Sequence, residues 1–416
     1  MQPRHLAPRI REALTDRPVV ALVGPRQAGK STLALDLVGS GALKRYVTLD
    51  DAVVLAAARD DPAGFVAGLP HGSVIDEAQR APELYLAIKA RVDRDRRPGA
   101  FLVTGSADVL VLPEIAEALV GRVEIVTLLP MSAGELVGQT EDFVAWALRT
   151  DSPHVVVPEG PEAMAERIVK GGFPEPSQAG DRFRGRWFGS YVSTIVQREV
   201  RDLAGIQGLA ELPRLLSMLA ARSASLVNVA ELSRTAGIPQ TTLRRYLTLI
   251  EGAFVTHTLP AWTGDAGRRL VRAPKLHLTD TGVAAWLTGT DATRLLDDRG
   301  WFGALLESLV AAEIRKQLGW SAVDARLSHY RSHDGVEVDL VLEDRAGRVT
   351  GIEVKSSATV RPDDLRGLRR LAERVPDRWV RGIVLYLGRE SVSFGKHLDV
   401  LPVAALWQTP QRVSIP

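Results

Sequence analysis

The run GPRQAGKS, Gly24 to Ser31, constrains this chain more than any other stretch. A β-branched apolar run, Val19 to Val23, leads into it, and the apolar-periodic Leu33, Leu35 and Leu37 follow. G-x-x-x-x-G-K-[ST] between a strand and a helix is a phosphate-binding loop. Gly24, Pro25, Arg26, Gln27, Ala28 and Gly29 would fold back so that their N–H groups form an anion nest. The helix N-terminus adds its partial positive charge beneath the phosphates. Lys30 is expected to bridge the β- and γ-phosphates and Ser31 to ligate Mg²⁺, with Thr32 closing the run. ATP and Mg²⁺ are therefore the expected cofactors, and an α/β core with a parallel sheet is the expected fold.

Such a loop needs an acidic companion, and HGSVIDEAQR supplies one where an apolar run ends in Asp76-Glu77. Asp76 is the candidate holder of Mg²⁺ through water, and Glu77 the base that polarises the attacking water. A third run, AFLVTGSAD, ends in Thr104, Gly105 and Ser106. If its strand lies between the other two, Ser106 or Thr104 can sense the γ-phosphate; a hydroxyl-capped turn is the plainer account. KRYVTLD and GRVEIVTLLP bring the expected sheet to five strands.

From about residue 15 to 137 the chain resembles the core of AAA-type P-loop ATPases of the additional-strand class. LVGRVEIVTLLPMSAGEL is especially similar to a family of prokaryotic AAA-type ATPases that carry a C-terminal domain of unknown function. The resemblance singles out Arg122, which would contact a phosphate within the chain or act as a finger on a neighbouring subunit. The second role makes a homo-oligomer an expected assembly. An ordinary ion-paired arginine is the alternative.

Beyond residue 140 the apolar spacing turns helical, broken at KGGFPEP. RWFGSYVSTIVQREVRDL places Trp187, Tyr191 and Ile195 on a core-facing stripe, and the family resemblance extends to its Arg198-Glu199 pair. LVNVAELSRTAGIPQTTLRRYLTLIEGAFVTHTLPAW reads as two helices around a turn at Ala236-Gly237-Ile238, then a wing strand. Gln240, Thr241, Arg244 and Arg245 are the candidate DNA contacts. A lid or protein-contact module is the other reading of the same segment.

SHYRSHDGVEVDLVLEDRAGRVTGIEVKSS reads as a β-hairpin, its second strand ending in Glu353-x-Lys355. Strand side chains alternate, so Glu353 and Lys355 share a face. Asp339 lies on the first strand and Glu307 on the preceding helix, WFGALLESLVAAEIRKQLGW. This order resembles the PD-(D/E)xK, restriction-endonuclease-like superfamily. It implies Mg²⁺ or Mn²⁺ held by Glu307, Asp339 and Glu353, with Lys355 positioning the attacking water. A surface hairpin with a Glu–Lys ion pair competes with that reading.

Composition adds limits. The 416-residue chain has a formal net charge of +2, so bulk charge implies neither nucleic acid nor membrane binding. Only eight of its 52 basic residues are lysine, which makes a lysine inside a motif conspicuous. With no cysteine, disulfides and Cys-ligated metals are excluded. MQPRHLAPRI lacks the apolar stretch of a secretion signal, and no apolar run reaches the roughly 18 residues of a membrane span. A cytoplasmic protein without membrane contact is expected. Its expected parts are an AAA-type P-loop ATPase domain at 1–150, a helical lid and winged helix-turn-helix at 151–265, and a nuclease-like α/β domain at 266–416. The expected function is ATP hydrolysis directed at DNA; the alternative is an ATP-gated switch with a catalytically silent nuclease fold.

Overall fold

The computed structural model of the chain describes residues 3–106, 121–150, 155–195, 211–263, 273–395 and 397–408. Strands β1 (Val19–Val23), β2 (Arg45–Thr48), β3 (Ser73–Asp76), β4 (Phe101–Gly105) and β5 (Val123–Thr127) form one parallel sheet in the order β2-β3-β4-β1-β5. Every residue of β1, β3 and β4 is buried, as expected where helices cover both faces. Ile88, Tyr85 and Val103 pack on one side, Leu33, Leu37 and Ile10 on the other. Because β4 separates β1 from β3, the ends of all three strands open onto the same edge, where α/β sheets bind ligands.

In the middle of the chain, helix Asp181–Thr194 carries Trp187 stacked on Tyr191, with centroids 5.0 Å apart and rings 9° from parallel. Both residues are buried, so the stripe is core. The Arg198-Glu199 pair lies outside the described residues. Helices Leu212–Ala220, Val229–Ala236 and Gln240–Gly252 pack beside a small antiparallel sheet, in which β8 (Lys275–Leu278) lies between β6 (Ser225–Leu226) and β7 (Thr256–Leu259). Gly237 ends the second helix with φ 72°, the left-handed turn that glycine tolerates best. β8 belongs to this sheet, so a boundary at residue 266 would cut the middle unit. β8 takes its hydrogen bonds from β6 and β7.

His257 of β7 and His277 of β8 are cross-strand partners, stacked with centroids 5.4 Å apart. Burial holds both imidazoles below their ordinary range, His277 down to about 3, with Arg315, Lys275 and His329 pushing the same way. The folded state therefore refuses protons that the unfolded chain accepts near pH 6.5. Stability from this pair is complete above that pH and falls as pH drops below it. Replacing His257 with leucine should flatten the acid limb of a urea-unfolding series by about 1.4 kcal/mol per pH unit below about pH 6.5. An acid limb identical to wild type would contradict this.

The C-terminal part is a six-stranded mixed sheet, β13-β14-β12-β11-β10-β9. β9 (Ala325–Arg331), β10 (Glu337–Asp344) and β11 (Val349–Lys355) run antiparallel, whereas β12 (Trp379–Tyr386) and β14 (Leu398–Pro402) continue parallel to β11; β13 (Val392–Ser393) closes the edge. The 19-residue helix Arg299–Gln317 packs on this sheet and joins a core shared with the middle unit, including Phe188, Leu216, Leu278, Leu306 and Ile352. Its far end is wired to the chain just past β5. Glu313 Oε2 accepts from Ala133 N at 2.8 Å, and Lys316 Nζ donates to Met131 O at 3.0 Å and to Glu313 Oε1 at 2.7 Å. Gln317 accepts from Phe143 N at 2.6 Å and donates to Leu406 O at 2.7 Å. Among the described residues, no helix is long and apolar enough to cross a membrane.

Candidate functional site: a phosphate loop with its acidic strand

The loop leaves β1 at Gly24, whose φ of 145° and position suit only glycine: an added Cβ would lie 2.1 Å from Leu128 O. Pro25, Arg26, Gln27 (φ 59°) and Ala28 then turn the chain to Gly29 (φ 98°), where helix Lys30–Gly39 begins. Lys30 is buried, and its ammonium closes the loop by donating to Gly24 O and Pro25 O, both at 2.8 Å. Ser31 Oγ donates to both Asp76 carboxylate oxygens at 3.0 Å. Thr32 is exposed on the first turn and lines a cavity of about 280 Å³ with Arg4, Gly29, Leu33, Met131 and Pro174. Arg4 braces that cavity, donating to Ala28 O and Leu129 O, both at 2.6 Å.

Asp76, at the end of β3, is the hub. Beside Ser31 it accepts from Thr104 Oγ1 at 2.5 Å and Tyr46 OH at 2.7 Å. Two hard oxygen donors, the Ser31 hydroxyl and the Asp76 carboxylate, thus face each other at the phosphate end of the loop. That donor set fits Mg²⁺. Glu77 follows with φ 58°, a left-handed backbone uncommon outside glycine and frequent at functional sites. The turn is held by Glu77 N donating to Thr104 Oγ1 at 3.1 Å, and Gln79 Nε2 bonds both the Glu77 carboxylate and Ser106 Oγ. Burial raises the Glu77 carboxyl above its ordinary range, opposed by Lys30 and Arg26. Of the two hydroxyls at the end of β4, Thr104 touches the acidic pair directly, and Ser106, just past the strand, reaches it through Gln79.

Arg122 is not brought to this site. It sits at the start of β5, where its carbonyl accepts from Val19 N, whereas the loop leaves the opposite end of β1. That offset is roughly 13 Å along the strand. Its guanidinium is bidentate on Asp93, at 2.6 and 3.0 Å. An in-chain phosphate contact therefore does not fit, because the sheet lies between the two ends.

The C-terminal acids do converge. Asp339 and Glu353 are neighbours on β10 and β11, and a β-bulge against β9 between Val338 and Val341 re-aims Asp339. Val354 N pins Asp339 Oδ2 at 2.9 Å, and Lys355 Nζ bonds Glu353 Oε1 at 2.9 Å. Sequence reasoning missed Lys275. Its ammonium lies 2.7 Å from Glu307 Oε1 and 3.3 Å from Asp339 Oδ1. Burial raises Glu307 and Glu353 to about 8, the Asp339 charge adding to the effect. Among the described residues no group of three His, Cys, Asp or Glu is arranged to hold a metal. The expected Glu307–Asp339–Glu353 metal site is thus not met in this arrangement, because a lysine stands between two of its ligands.

This loop, acidic strand and sheet order define an AAA-type P-loop ATPase domain, a nucleotide-binding unit, and residues 16–137 match the family model described as an AAA domain. Residues 161–294 and 302–406 match two further models, each described as a domain of unknown function, DUF8612 and DUF4143. Uncharacterized proteins of Mycobacterium tuberculosis (Rv2008c) and Mycobacterium bovis (Mb2031c) are each 34% identical over 369 residues, 88% of this chain and 76% of theirs. The chain belongs to their family. Among solved structures it is similar to a Walker-type ATPase of Pyrococcus abyssi, with TM-score 0.41 and 15% identity over 69% of this chain and 96% of that one. A Thermotoga maritima RuvB variant follows, with TM-score 0.27 and 19% identity over 61% and 89%.

Proposed function

We propose that the chain hydrolyses ATP and uses the cycle to control its engagement with DNA. The observation that carries the first half is the convergence of Ser31, Asp76, Thr104 and Glu77 beside the Lys30 loop. When bound, Mg²⁺ supplies charge neutralisation at the β- and γ-phosphates, with Ser31 and Asp76 as its holders. The loop N–H groups and Lys30 bind the phosphates, and Lys30 would exchange its two loop carbonyls for phosphate oxygens. Glu77 accepts the proton of the attacking water, its burial raising the carboxylate's affinity for protons. Thr104 and Gln79 fix where that carboxylate points. The cavity of about 280 Å³ beside Thr32 suits the nucleoside end.

The DNA half rests on the middle unit. Its three helices and antiparallel sheet support a winged helix-turn-helix reading, and helix Gln240–Gly252 opens with Gln240, Thr241, Arg244 and Arg245 all at the surface or near it. ATP turnover should be measured with and without duplex DNA, together with DNA binding across a salt series. Arg244→Ala/Arg245→Ala should weaken binding and lower the salt slope by about 2. An unchanged slope would reduce this helix to packing. In the C-terminal part, the order of one helix, three antiparallel strands, a helix (Arg366–Arg374) and a parallel strand, with Asp339 and Glu353-x-Lys355 on its strands, supports a nuclease-like fold. The position of Lys275 favours the second reading for that part: a fold retained for binding rather than for cutting.

A further inference from the structure

We infer that Lys275, carried on the middle sheet, is the resident cation of the C-terminal acidic cluster and closes it to a divalent ion. The inference rests on reading that cluster as nuclease-derived, and it adds a second part of the chain as the element that controls it.

The geometry is one of substitution. A divalent ion serving Glu307 and Asp339 would sit between their oxygens at about 2.0–2.6 Å. Lys275 Nζ already lies between those oxygens, at 2.7 and 3.3 Å, and its side chain is only 6% exposed. It does not come from a flexible loop: Lys275 opens β8 and is paired with Leu226 on one side and Leu259 on the other. The lysine stem is therefore fixed by the middle sheet, while both its partners belong to the C-terminal part. The same junction is stitched by backbone, with His329 N donating to Pro260 O at 2.9 Å and Trp262 N donating to His329 O. An ion could enter only by expelling a buried ammonium from two carboxylates, or by separating β8 from the helix and β10.

The third acid keeps a free ligand atom. Lys355 Nζ lies 2.9 Å from Glu353 Oε1 and 3.8 Å from Asp364 Oδ1, whereas Glu353 Oε2 is buried with no hydrogen-bond partner among the described residues. With Lys275 removed, that oxygen is available as a ligand beside Glu307 and Asp339.

The test is a titration of the full chain with Mn²⁺ alone, nucleotide-free, with free Mn²⁺ followed by electron paramagnetic resonance. All variants carry Asp76→Asn to remove the P-loop donor set. With Lys275 intact, no saturable site sensitive to Glu353→Gln is expected. Lys275→Met should gain one site per chain, at least about tenfold tighter than any seen with the lysine present, and adding Glu353→Gln should erase it. Lys275→Arg, which keeps the cation, should gain nothing. A Glu353-sensitive site in the chain that retains Lys275 would overturn the inference, and so would a folded Lys275→Met chain with no gain. Should Lys275→Met not fold, Lys275→Gln serves the same comparison, and the titration with Lys275 intact is decisive alone if it shows the site. A Lys275→Met chain that takes up Mn²⁺ yet leaves plasmid DNA uncut would retire the nuclease reading and leave the lock in place.

Discussion

ATP turnover should vanish in Lys30→Ala, and in Glu77→Gln it should fall by about 100- to 10,000-fold while ATP binding persists. The two residues occupy one site but do different work. In the proposed mechanism Lys30 brings the charge that meets the phosphates, and in the structure its ammonium spans the loop carbonyls of Gly24 and Pro25. Its loss removes both a phosphate contact and a brace of the loop, so nucleotide affinity and turnover fall together. Glu77 bonds instead to Thr104 through its N–H and to Gln79 through its carboxylate. Glutamine keeps its length and its bond to Gln79 but cannot accept a proton, so the defect belongs to the chemical step. Radiolabelled ATP binding and phosphate release, measured on the same preparations, separate the cases. A Glu77→Gln chain with full turnover would move the base elsewhere, and normal turnover without Lys30 would end the ATPase assignment.

The second large effect is on stability. Glu313→Ala should cost about 3–5 kcal/mol, because it strands the buried Lys316 ammonium and leaves Ala133 N without its acceptor. Replacing both partners, Glu313→Leu with Lys316→Met, should recover most of that loss, since no uncompensated charge remains. Urea unfolding of the two chains checks both values. A double variant no better than Glu313→Ala would mean that the bond to the backbone, rather than the ion pair, carries the energy. The substitution should also disturb nucleotide binding, because Lys316 holds Met131 O and Met131 lines the cavity beside the P-loop.

Much of this was legible in the sequence, for definite reasons. The P-loop is a local object: its glycines, lysine and serine are contiguous, and the flanking strand and helix follow from apolar periodicity. Asp76-Glu77 was readable only through the P-loop upstream: an apolar run ending in two acids is commonplace by itself, but a phosphate loop needs an acidic companion. The hairpin of β10 and β11 was likewise set by alternation and a Gly347 turn. What was not legible depends on contacts across long stretches of chain. The family resemblance offered Arg122 as a phosphate contact beside the plainer ion-paired reading, but a strand has two ends and its neighbours in sequence do not say which one it occupies. Lys275 lies in KLHL, a short apolar strand with nothing around it to announce an acidic partner 32 residues further on. Its one signal was scarcity. In a chain that uses arginine almost everywhere, Lys30, Lys275, Lys316 and Lys355 are all in specific polar contacts. A compact point charge on a narrow stem fits where a guanidinium fork does not.

The core shared between the middle and C-terminal parts bears on how this chain can be divided. Family models place a seam between residues 294 and 302. Leu278, Leu295, Phe302 and Leu306 nonetheless pack into one apolar body across it. A piece ending at that seam would open this body to water, and a piece beginning there would lack the strand that supplies Lys275. The apolar body is therefore larger than either of the two matched spans. Calorimetry of the intact chain should show both parts leaving the native state in a single transition, and a cut at the seam should yield two fragments that are soluble only when expressed together.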